Sequence, residues 1–252
     1  MTRVLQSIAA IGDATLLLVR SVGYFPYVVC HCDSRHDLVR QLYATGIRTL
    51  PVLSVVSLFT GMILALQVGL ELRRFNQEEY LGAAVMLTLI REMAPFSCGI
   101  CLAACVGSAI AAEIGTMKVN DEIDALSIMG IPPVRFLAAP RVLALVMMAP
   151  LLAFYCCIAG TIGGGLVGHT QLEVDFSQYI SSAMSMAEAK DLFVGLIKAI
   201  CFGLFIGIVS MREGLHTELG AMGVGRSTQR SVIFSFLAIL VVGYMITRLC
   251  YQ

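Results

Sequence analysis

The chain has 252 residues, of which 58% are hydrophobic and only 13% are charged, and its 17 basic and 17 acidic side chains cancel at neutral pH. A water-soluble domain carries about 25% charged residues and exposes much of its surface, so this composition excludes an ordinary soluble fold. The net charge is zero, so no overall electrostatic field favours nucleic acid as a partner. We therefore predict an all-α, polytopic membrane protein.

The N-terminal region is expected to lie along the membrane rather than across it. Residues 1–30 place Gln6, Asp13 and Arg20 on one side of an otherwise apolar helical pattern, which is typical of a helix in the membrane interface. Asp13 and Arg20 also interrupt the apolar core that a cleavable signal peptide needs. Residues 31–50 are polar and basic and predict a short helix on the cytoplasmic side. Residues 1–50 are thus an N-terminal region of interfacial, elbow-like helices.

The remaining residues, 51–252, predict a domain of about five transmembrane helices, because each span takes about 20 mainly apolar residues. The five stretches that qualify are 51–70, 80–112, 137–167, 191–211 and 231–249. With the N-terminus in the cytoplasm, eleven Lys and Arg residues lie on the cytoplasmic side and four on the opposite side. The positive-inside rule favours this orientation with an odd number of spans.

Three charged residues lie in the interior of the predicted spans, more than five residues from either end. Arg91 and Glu92 form an adjacent ion pair in the second span, and Lys198 lies in the fourth. Because a charge in hydrocarbon is costly, such residues usually face a bundle interior or a wet cavity. Pro95 removes a helical hydrogen bond and predicts a break or kink nearby. Arg91 can bind a lipid phosphate, or the pair can lock the helix to a neighbour; Lys198 is either paired or snorkels.

A polar segment separates the second and third spans. Its acidic residues Asp121, Glu122 and Asp124 alternate with apolar ones, and a pair of prolines, Pro132 and Pro133, ends it. This pattern predicts a short cytoplasmic helix over about residues 118–130. An acidic face disfavours contact with anionic lipid headgroups, so a protein partner is the favoured interpretation, with a helix lying on the bilayer as the alternative.

No pattern of an enzyme or a metal site is found. Cys30, His31, Cys32 and His36 are close in sequence, but their spacing matches no common zinc site. A Gly-rich phosphate loop, a Ser-His-Asp arrangement and an HExxH motif are missing from the sequence. We therefore predict no catalytic residue, no metal and no ATP hydrolysis by this chain.

Four stretches of sequence resemble one known family. They are LVRQLYATGIRTLPVLSVVSLFTGMILALQ, LIREMAP, GSAIAAEIGTMKVNDEIDALSIMGIPPVRFLAAPRVLAL and GAMGVGRSTQRSV. Over residues 38–250 the chain resembles the MlaE (YrbE-like) family of ABC permeases, which work with MCE-domain proteins. The block from AEIGTMKV to PRVLA is the most specific part of this resemblance.

The resemblance implies a function and a set of partners. The chain would be the permease subunit of an ABC transporter, moving phospholipid or a related lipid between the bacterial inner membrane and periplasmic MCE-domain proteins. Its expected partners are a second permease copy in a homodimer, a pair of ABC ATPase subunits, a periplasmic MCE-domain protein, a small STAS-like cytoplasmic subunit and membrane lipid. The chain itself would need no cofactor, since ATP would be bound by the ATPase partner.

The resemblance also implies two groups of site residues. The lipid cavity would be lined by Leu64, Gln67, Leu72, Phe75, Arg91 and Glu92. The helix that couples the permease to the ATPase, residues 118–130, would contain Lys118, Asp121, Glu122, Asp124 and Leu126.

The chain departs from the family at several positions. The motif that more often reads REL-GP here contains Met93 and Ala94. The motif that usually reads GR-GSA corresponds here to Cys105-Val106-Gly107-Ser108-Ala109, which has no arginine. Many members have an acidic residue in the last span, where Gly243 and its neighbours are uncharged, so a pairing of Lys198 with that span is not expected.

A second function stays open at this stage. A secondary transporter or channel would use Arg91, Glu92 and Lys198 as an intramembrane ion relay and would need no ATPase. Such transporters are often built from inverted repeats, and the two halves of this sequence show none, which favours the ABC permease.

Overall fold

The computed structural model describes residues 17, 21, 23–25, 32–130, 132–218 and 220–251. Every regular element within these ranges is helical. The α-helices are Cys32–Gly46, Leu50–Arg74, Leu81–Thr88, Ala94–Leu102, Ser108–Val119, Glu122–Ile128, Ala139–Gln171, Phe176–Met186, Ala189–Leu215 and Ala221–Tyr251. A 3₁₀ turn covers Glu78–Tyr80, and π-helical turns cover Leu89–Met93, Ala103–Gly107 and Val134–Ala138. The interfacial helix predicted for residues 1–30 lies outside the described residues except at residues 17, 21 and 23–25.

Five helical segments of the described chain are long and apolar enough to cross a membrane. They are His36–Arg74, Glu78–Val119, Val134–Gln171, Ala189–Leu215 and Ala221–Tyr251, called the first to fifth spans below. The predicted all-α, multi-pass fold with five spans is confirmed. Each span is longer than its predicted apolar stretch because the helix continues into polar residues at its ends. The helix predicted within residues 31–50 is observed as Cys32–Gly46, and a short turn joins it to Leu50–Arg74.

The chain forms two compact units, each built from three separate stretches. Unit 1 comprises Met1–Arg48, Leu102–Met148 and Cys201–Leu240. Its core includes Leu38 packed with Leu143 and Ala144. A buried row of serines follows one face of the fifth span, and the Ser231 hydroxyl lies 2.9 Å from that of Ser210 in the fourth. The predicted boundary at residue 50 between an N-terminal region and a transmembrane domain stays a prediction.

Unit 2 comprises Thr49–Cys101, Ala149–Ile200 and Val241–Gln252. In unit 2 the backbones of the first and third spans lie in contact at Gly61 and Gly160. The approach is so close that a Cβ added at Gly61 would lie 1.8 Å from the carbonyl oxygen of Gly160. Small residues permit such close approach in a membrane, where no hydrophobic driving force brings helices together. The helix Phe176–Met186 packs on Leu81–Thr88.

The second span is loosened at the position of its charged residues. The π-helical turn Leu89–Met93 contains Arg91 and Glu92 and ends just before Pro95. The helix resumes at Ala94–Leu102, so the break or kink predicted at Pro95 takes the form of a widened turn within a continuous span. Turns of this kind often occur at functional sites because they redirect side chains.

Candidate functional site

Polar side chains from three spans meet inside unit 2. They are Arg91 and Glu92 of the second span, Asp191 and Lys198 of the fourth, and Thr247 and Tyr251 of the fifth. We call these six residues the charge cluster. Because all six lie within spans that are otherwise apolar, the cluster is a candidate functional site.

Arg91 binds Asp191 through a two-pronged contact. The guanidinium Nε lies 2.8 Å from Oδ1 and Nη2 lies 2.9 Å from Oδ2. The Tyr251 hydroxyl is a third donor, at 2.7 Å from Oδ1. The Tyr251 ring centre also lies 4.6 Å from the guanidinium carbon, within range of a cation–π contact. The Asp191 carboxylate therefore has three donors in a position where it is almost fully buried.

Glu92 and Lys198 form the second ion pair of the cluster. The Lys198 ammonium lies 2.7 Å from Glu92 Oε1, and the Thr247 hydroxyl is 2.7 Å from the same oxygen. Lys198 also donates to the carbonyl oxygen of Arg91 at 2.8 Å. In a regular helix that carbonyl would accept from the backbone of residue 95, but a proline has no N–H to donate. Lys198 gives that carbonyl a side-chain donor from the fourth span.

The two neighbours Arg91 and Glu92 do not pair with each other, contrary to the sequence prediction. Each reaches a different partner on the fourth span, because adjacent side chains on a helix point in different directions. These contacts join the second span to the fourth, and the binding of a lipid phosphate by Arg91 stays a prediction. Lys198 is paired rather than snorkelling, and its partner is Glu92.

Burial decides how strongly each charged residue depends on its ion-pair partner. The side chains of Asp191 and Lys198 are each 1% exposed, whereas those of Arg91 and Glu92 are 36% and 42% exposed. An ion left buried without its partner costs about 3–5 kcal/mol. Each pair thus has one fixed, buried member and one member that reaches the surface of the chain.

Sequence reasoning missed Asp191, Thr247 and Tyr251. Asp191 lies seven residues before Lys198, which is two helical turns and therefore the same helix face. Tyr251 lies four residues after Thr247 and shares a face in the same way. These spacings are signals available in the sequence, but they do not reveal which span each face meets.

The four other predicted lipid contacts lie near the end of the first span. Phe75 is 72% exposed and Gln67 is exposed, whereas Leu64 and Leu72 are half-buried. No hydrogen bond or ion pair among the described residues joins these four to the charge cluster. Their role in lining a cavity stays a prediction.

A small apolar cleft with a cavity volume of about 10 Å³ lies beside the π-helical turn in unit 2. It is lined by Ile90, Ala94, Pro95, Ala153, Phe154, Cys157, Leu192, Gly195 and Leu196. Its volume is below the range of about 300–1,000 Å³ that is typical of ligand pockets. This cleft is too small to enclose a two-chain lipid.

The stretch 118–130, where a coupling helix was predicted, contains the end of one helix and the whole of a shorter one. Lys118 lies in the last turn of Ser108–Val119, and the shorter helix runs from Glu122 to Ile128. Asp121, between them, has a φ of 59°, a conformation that Asp tolerates better than most residues. Lys118 bridges the turn, with its ammonium 3.0 Å from an Asp124 oxygen. The predicted short helix is thus observed with narrower bounds, Glu122–Ile128, because the turn at Asp121 separates it from Lys118.

The short helix Glu122–Ile128 exposes both acidic and apolar side chains. Asp121, Glu122 and Asp124 are exposed, Ile123 is buried, and Leu126 is half-buried. Ile128 is 87% exposed. Acidic and apolar groups side by side are compatible with a protein surface as the partner.

A buried arginine in unit 1 lies next to this segment. The Arg141 guanidinium donates to the Leu137 carbonyl at 2.9 Å and lies 2.9 Å from a Glu113 carboxylate oxygen. Leu137 belongs to the π-helical turn Val134–Ala138, and Glu113 belongs to the helix that ends at Val119. Arg141 thus ties together the two helices that flank the short helix.

Among the described residues, no group of three His, Cys, Asp or Glu side chains lies close enough to hold a metal ion. Cys30 and His31 lie outside those residues, so their part in a metal site is not described by the structure.

Comparison with known proteins identifies one family. The family described as permease MlaE matches residues 38–249. A probable ABC transporter permease protein of Rickettsia prowazekii is 39% identical over 250 residues, covering 96% of both chains. The intermembrane phospholipid transport system permease protein MlaE of Haemophilus influenzae is 30% identical, covering 99% of this chain and 95% of its own. The chloroplastic protein trigalactosyldiacylglycerol 1 of Arabidopsis thaliana is 31% identical, over 86% of this chain and 62% of its own.

Proposed function

The chain belongs to the MlaE permease family of ABC transporters, and from that premise we propose that it moves phospholipid, or a related lipid, between the bacterial inner membrane and periplasmic MCE-domain proteins. The observation that carries the proposal is the charge cluster, where Arg91 reaches the surface of an otherwise apolar span with 36% of its side chain exposed. A guanidinium in such a place is suited to a phosphate headgroup.

The acyl chains set the main physical requirement. A buried CH₂ group is worth about 0.8 kcal/mol, so exposing two acyl chains to water costs on the order of 20 kcal/mol. The cleft beside the π-helical turn is too small to prevent this. We therefore place the lipid between two copies of the chain, with Leu64, Leu72 and Phe75 toward the acyl chains, Gln67 and Glu92 beside them, and Arg91 toward the headgroup.

ATP would act from outside this chain. In the proposed assembly, a pair of ATPase subunits docks on the segment that contains Asp121, Glu122, Asp124 and Leu126. Lys118 braces that segment through its bridge to Asp124. Movement of the segment would then reach the second and third spans, because the short helix lies between them in the chain. A small STAS-like subunit would complete the cytoplasmic side.

The location follows from the same assembly. We place the chain in the inner membrane with its N-terminus in the cytoplasm, which puts eleven Lys and Arg residues on the cytoplasmic side. The docking segment is then cytoplasmic, where ATP is available.

The headgroup role is tested by Arg91→Gln, which removes the charge but keeps a donor for Asp191. Bound phospholipid would be counted by mass spectrometry after photo-cross-linking in membranes. We expect a large loss of cross-linked phospholipid. The control is Arg226→Gln, since Arg226 is also a half-exposed cation paired with a carboxylate but belongs to unit 1. Equal phospholipid capture by the Arg91 variant and the control would remove the headgroup role.

The docking role is tested by reversing three charges at once, with Asp121, Glu122 and Asp124 changed to Lys. We expect the ATPase to be lost from the purified complex, because a like-charged interface costs several kcal/mol. The control reverses Glu71 and Glu79, which are exposed acidic residues in unit 2. Full retention of the ATPase by the triple variant would exclude this segment as the docking site.

A further inference from the structure

We propose that Asp191 is a built-in competitor for the lipid phosphate, which holds the Arg91 guanidinium until a headgroup displaces it, while Tyr251 keeps Asp191 satisfied during the exchange. This inference rests on the proposed function and adds a release mechanism to it. It assigns Asp191 and Tyr251 as positioning residues of the headgroup site.

The competition follows from the geometry of the Arg91 guanidinium. Its Nε and Nη2 both donate to Asp191, at 2.8 and 2.9 Å. The same pair of parallel donors is what binds a phosphate in the two-pronged manner. Because one pair of donors cannot serve a carboxylate and a phosphate at once, Asp191 and a lipid phosphate exclude each other at this position.

Burial determines which partner moves. Asp191 is 1% exposed, so its carboxylate cannot follow a departing guanidinium toward the surface. Arg91 is 36% exposed and has a flexible side chain, so it is the member that can turn toward a ligand. Displacement therefore takes the form of Arg91 leaving Asp191.

Two groups are placed to stabilise Asp191 once Arg91 has left. The Tyr251 hydroxyl is already 2.7 Å from Oδ1 and needs no movement. The Lys190 ammonium lies 5.8 Å from the centre of the Tyr251 ring, so a second cation stays close to the carboxylate. The same ring lies 4.6 Å from the guanidinium carbon and offers Arg91 a surface to turn along.

This arrangement predicts opposite effects for two conservative variants. Asp191→Asn weakens the competitor, so phospholipid should bind more tightly and leave more slowly. Tyr251→Phe keeps the ring but removes the hydroxyl, so Asp191 would lose its remaining donor when Arg91 departs, and phospholipid should bind more weakly. A purely structural role for Asp191 and Tyr251 would shift binding in the same direction in both variants.

The experiment uses the full chain in nanodiscs that contain phosphatidylglycerol and diacylglycerol, which lacks a phosphate. The measured quantity is the ratio of the two lipids bound per protein. Relative to the unmodified chain, we expect this ratio to rise on the order of tenfold in Asp191→Asn and to fall by a similar factor in Tyr251→Phe, as for a hydrogen bond to a charged group. Glu79→Gln, which removes an exposed carboxylate elsewhere in unit 2, should leave the ratio unchanged.

Inorganic phosphate distinguishes a lipid headgroup from a free anion. Added at millimolar concentration, it should not lower the bound phosphatidylglycerol of any variant, and displacement by phosphate would overturn the assignment to a lipid headgroup. If the lipid ratio shifted in the same direction for Asp191→Asn and Tyr251→Phe, or did not shift in either, the proposed exchange of Asp191 for a lipid phosphate at Arg91 would be overturned. If Asp191→Asn fails to fold, an unchanged ratio in Tyr251→Phe suffices to refute it.

The result for Arg91→Gln separates this inference from the proposed function. If Arg91→Gln lowers the ratio but Asp191→Asn does not raise it, the exchange is wrong and the headgroup role stands. If Arg91→Gln leaves the ratio unchanged, the headgroup role itself is wrong.

Discussion

The backbone contact between the first and third spans provides a quantitative test of the packing in unit 2. A Cβ added at Gly61 would lie 1.8 Å from the Gly160 carbonyl oxygen, compared with 3.4 Å or more in ordinary van der Waals contact. In Gly61→Ala the two helices would therefore have to separate by about 1.6 Å at this point. Because the atom in the way is backbone, no rotation of a side chain can relieve the clash.

The expected loss of stability follows from this separation. Overpacking of a well-packed interior costs about 1–3 kcal/mol. For a chain of this size, 1 kcal/mol corresponds to a shift of about 2–4 °C in the unfolding midpoint. We expect Gly61→Ala to lower the midpoint by several degrees, measured by the loss of the monodisperse peak on heating in detergent.

Gly225→Ala is the matched control, because Gly225 is also helical and its added Cβ would meet nothing within 4 Å. Replacing glycine by alanine in an open helical position is neutral or stabilising by up to about 1 kcal/mol. If Gly61→Ala and Gly225→Ala had equal midpoints, the close contact of the first and third spans would be refuted.

Two further predictions concern buried polar groups. Glu92→Leu should destabilise the chain by about 3–5 kcal/mol because it leaves the Lys198 ammonium buried and unpaired. Lys198→Leu should cost less, because the Glu92 carboxylate that it leaves behind is only partly buried and keeps the Thr247 hydroxyl as a donor; equal midpoints for the two variants would contradict this difference. Burial raises the pKa of Tyr179, so folding stability should decrease as the pH rises past about 10, where the unfolded tyrosine ionises first. Tyr179→Phe should remove that part of the alkaline destabilisation, and an unchanged pH profile would contradict it.

The number and order of the spans were predictable from the sequence because they depend on local composition. Each predicted apolar stretch lies inside one observed span, since a run of about 20 apolar residues has few alternatives to a membrane helix. The short helix after Val119 was also predictable, because its charges and terminal prolines are local signals. The turn at Asp121 was not, because a single left-handed residue leaves no periodic pattern.

The partners of the charged residues could not be predicted in the same way. Arg91 and Asp191 are 100 residues apart, and Glu92 and Thr247 are 155 apart. Their pairing depends on how the spans pack, which hydrophobic periodicity does not specify. The widened turn at Leu89–Met93 contributes to it by redirecting Arg91 and Glu92 to different partners. Sequence reasoning found Arg91, Glu92 and Lys198 but missed Asp191, and the structure supplied the contacts of all four.

The most direct test of the proposed function is the rate of phospholipid transfer from liposomes that contain the full chain and its ATPase partner to an MCE-domain acceptor. We predict transfer that requires ATP hydrolysis and is lost in Arg91→Gln. Transfer at the same rate without ATP, or an ion flux that needs no ATPase, would contradict the proposed function and favour an ion relay through Arg91, Glu92 and Lys198.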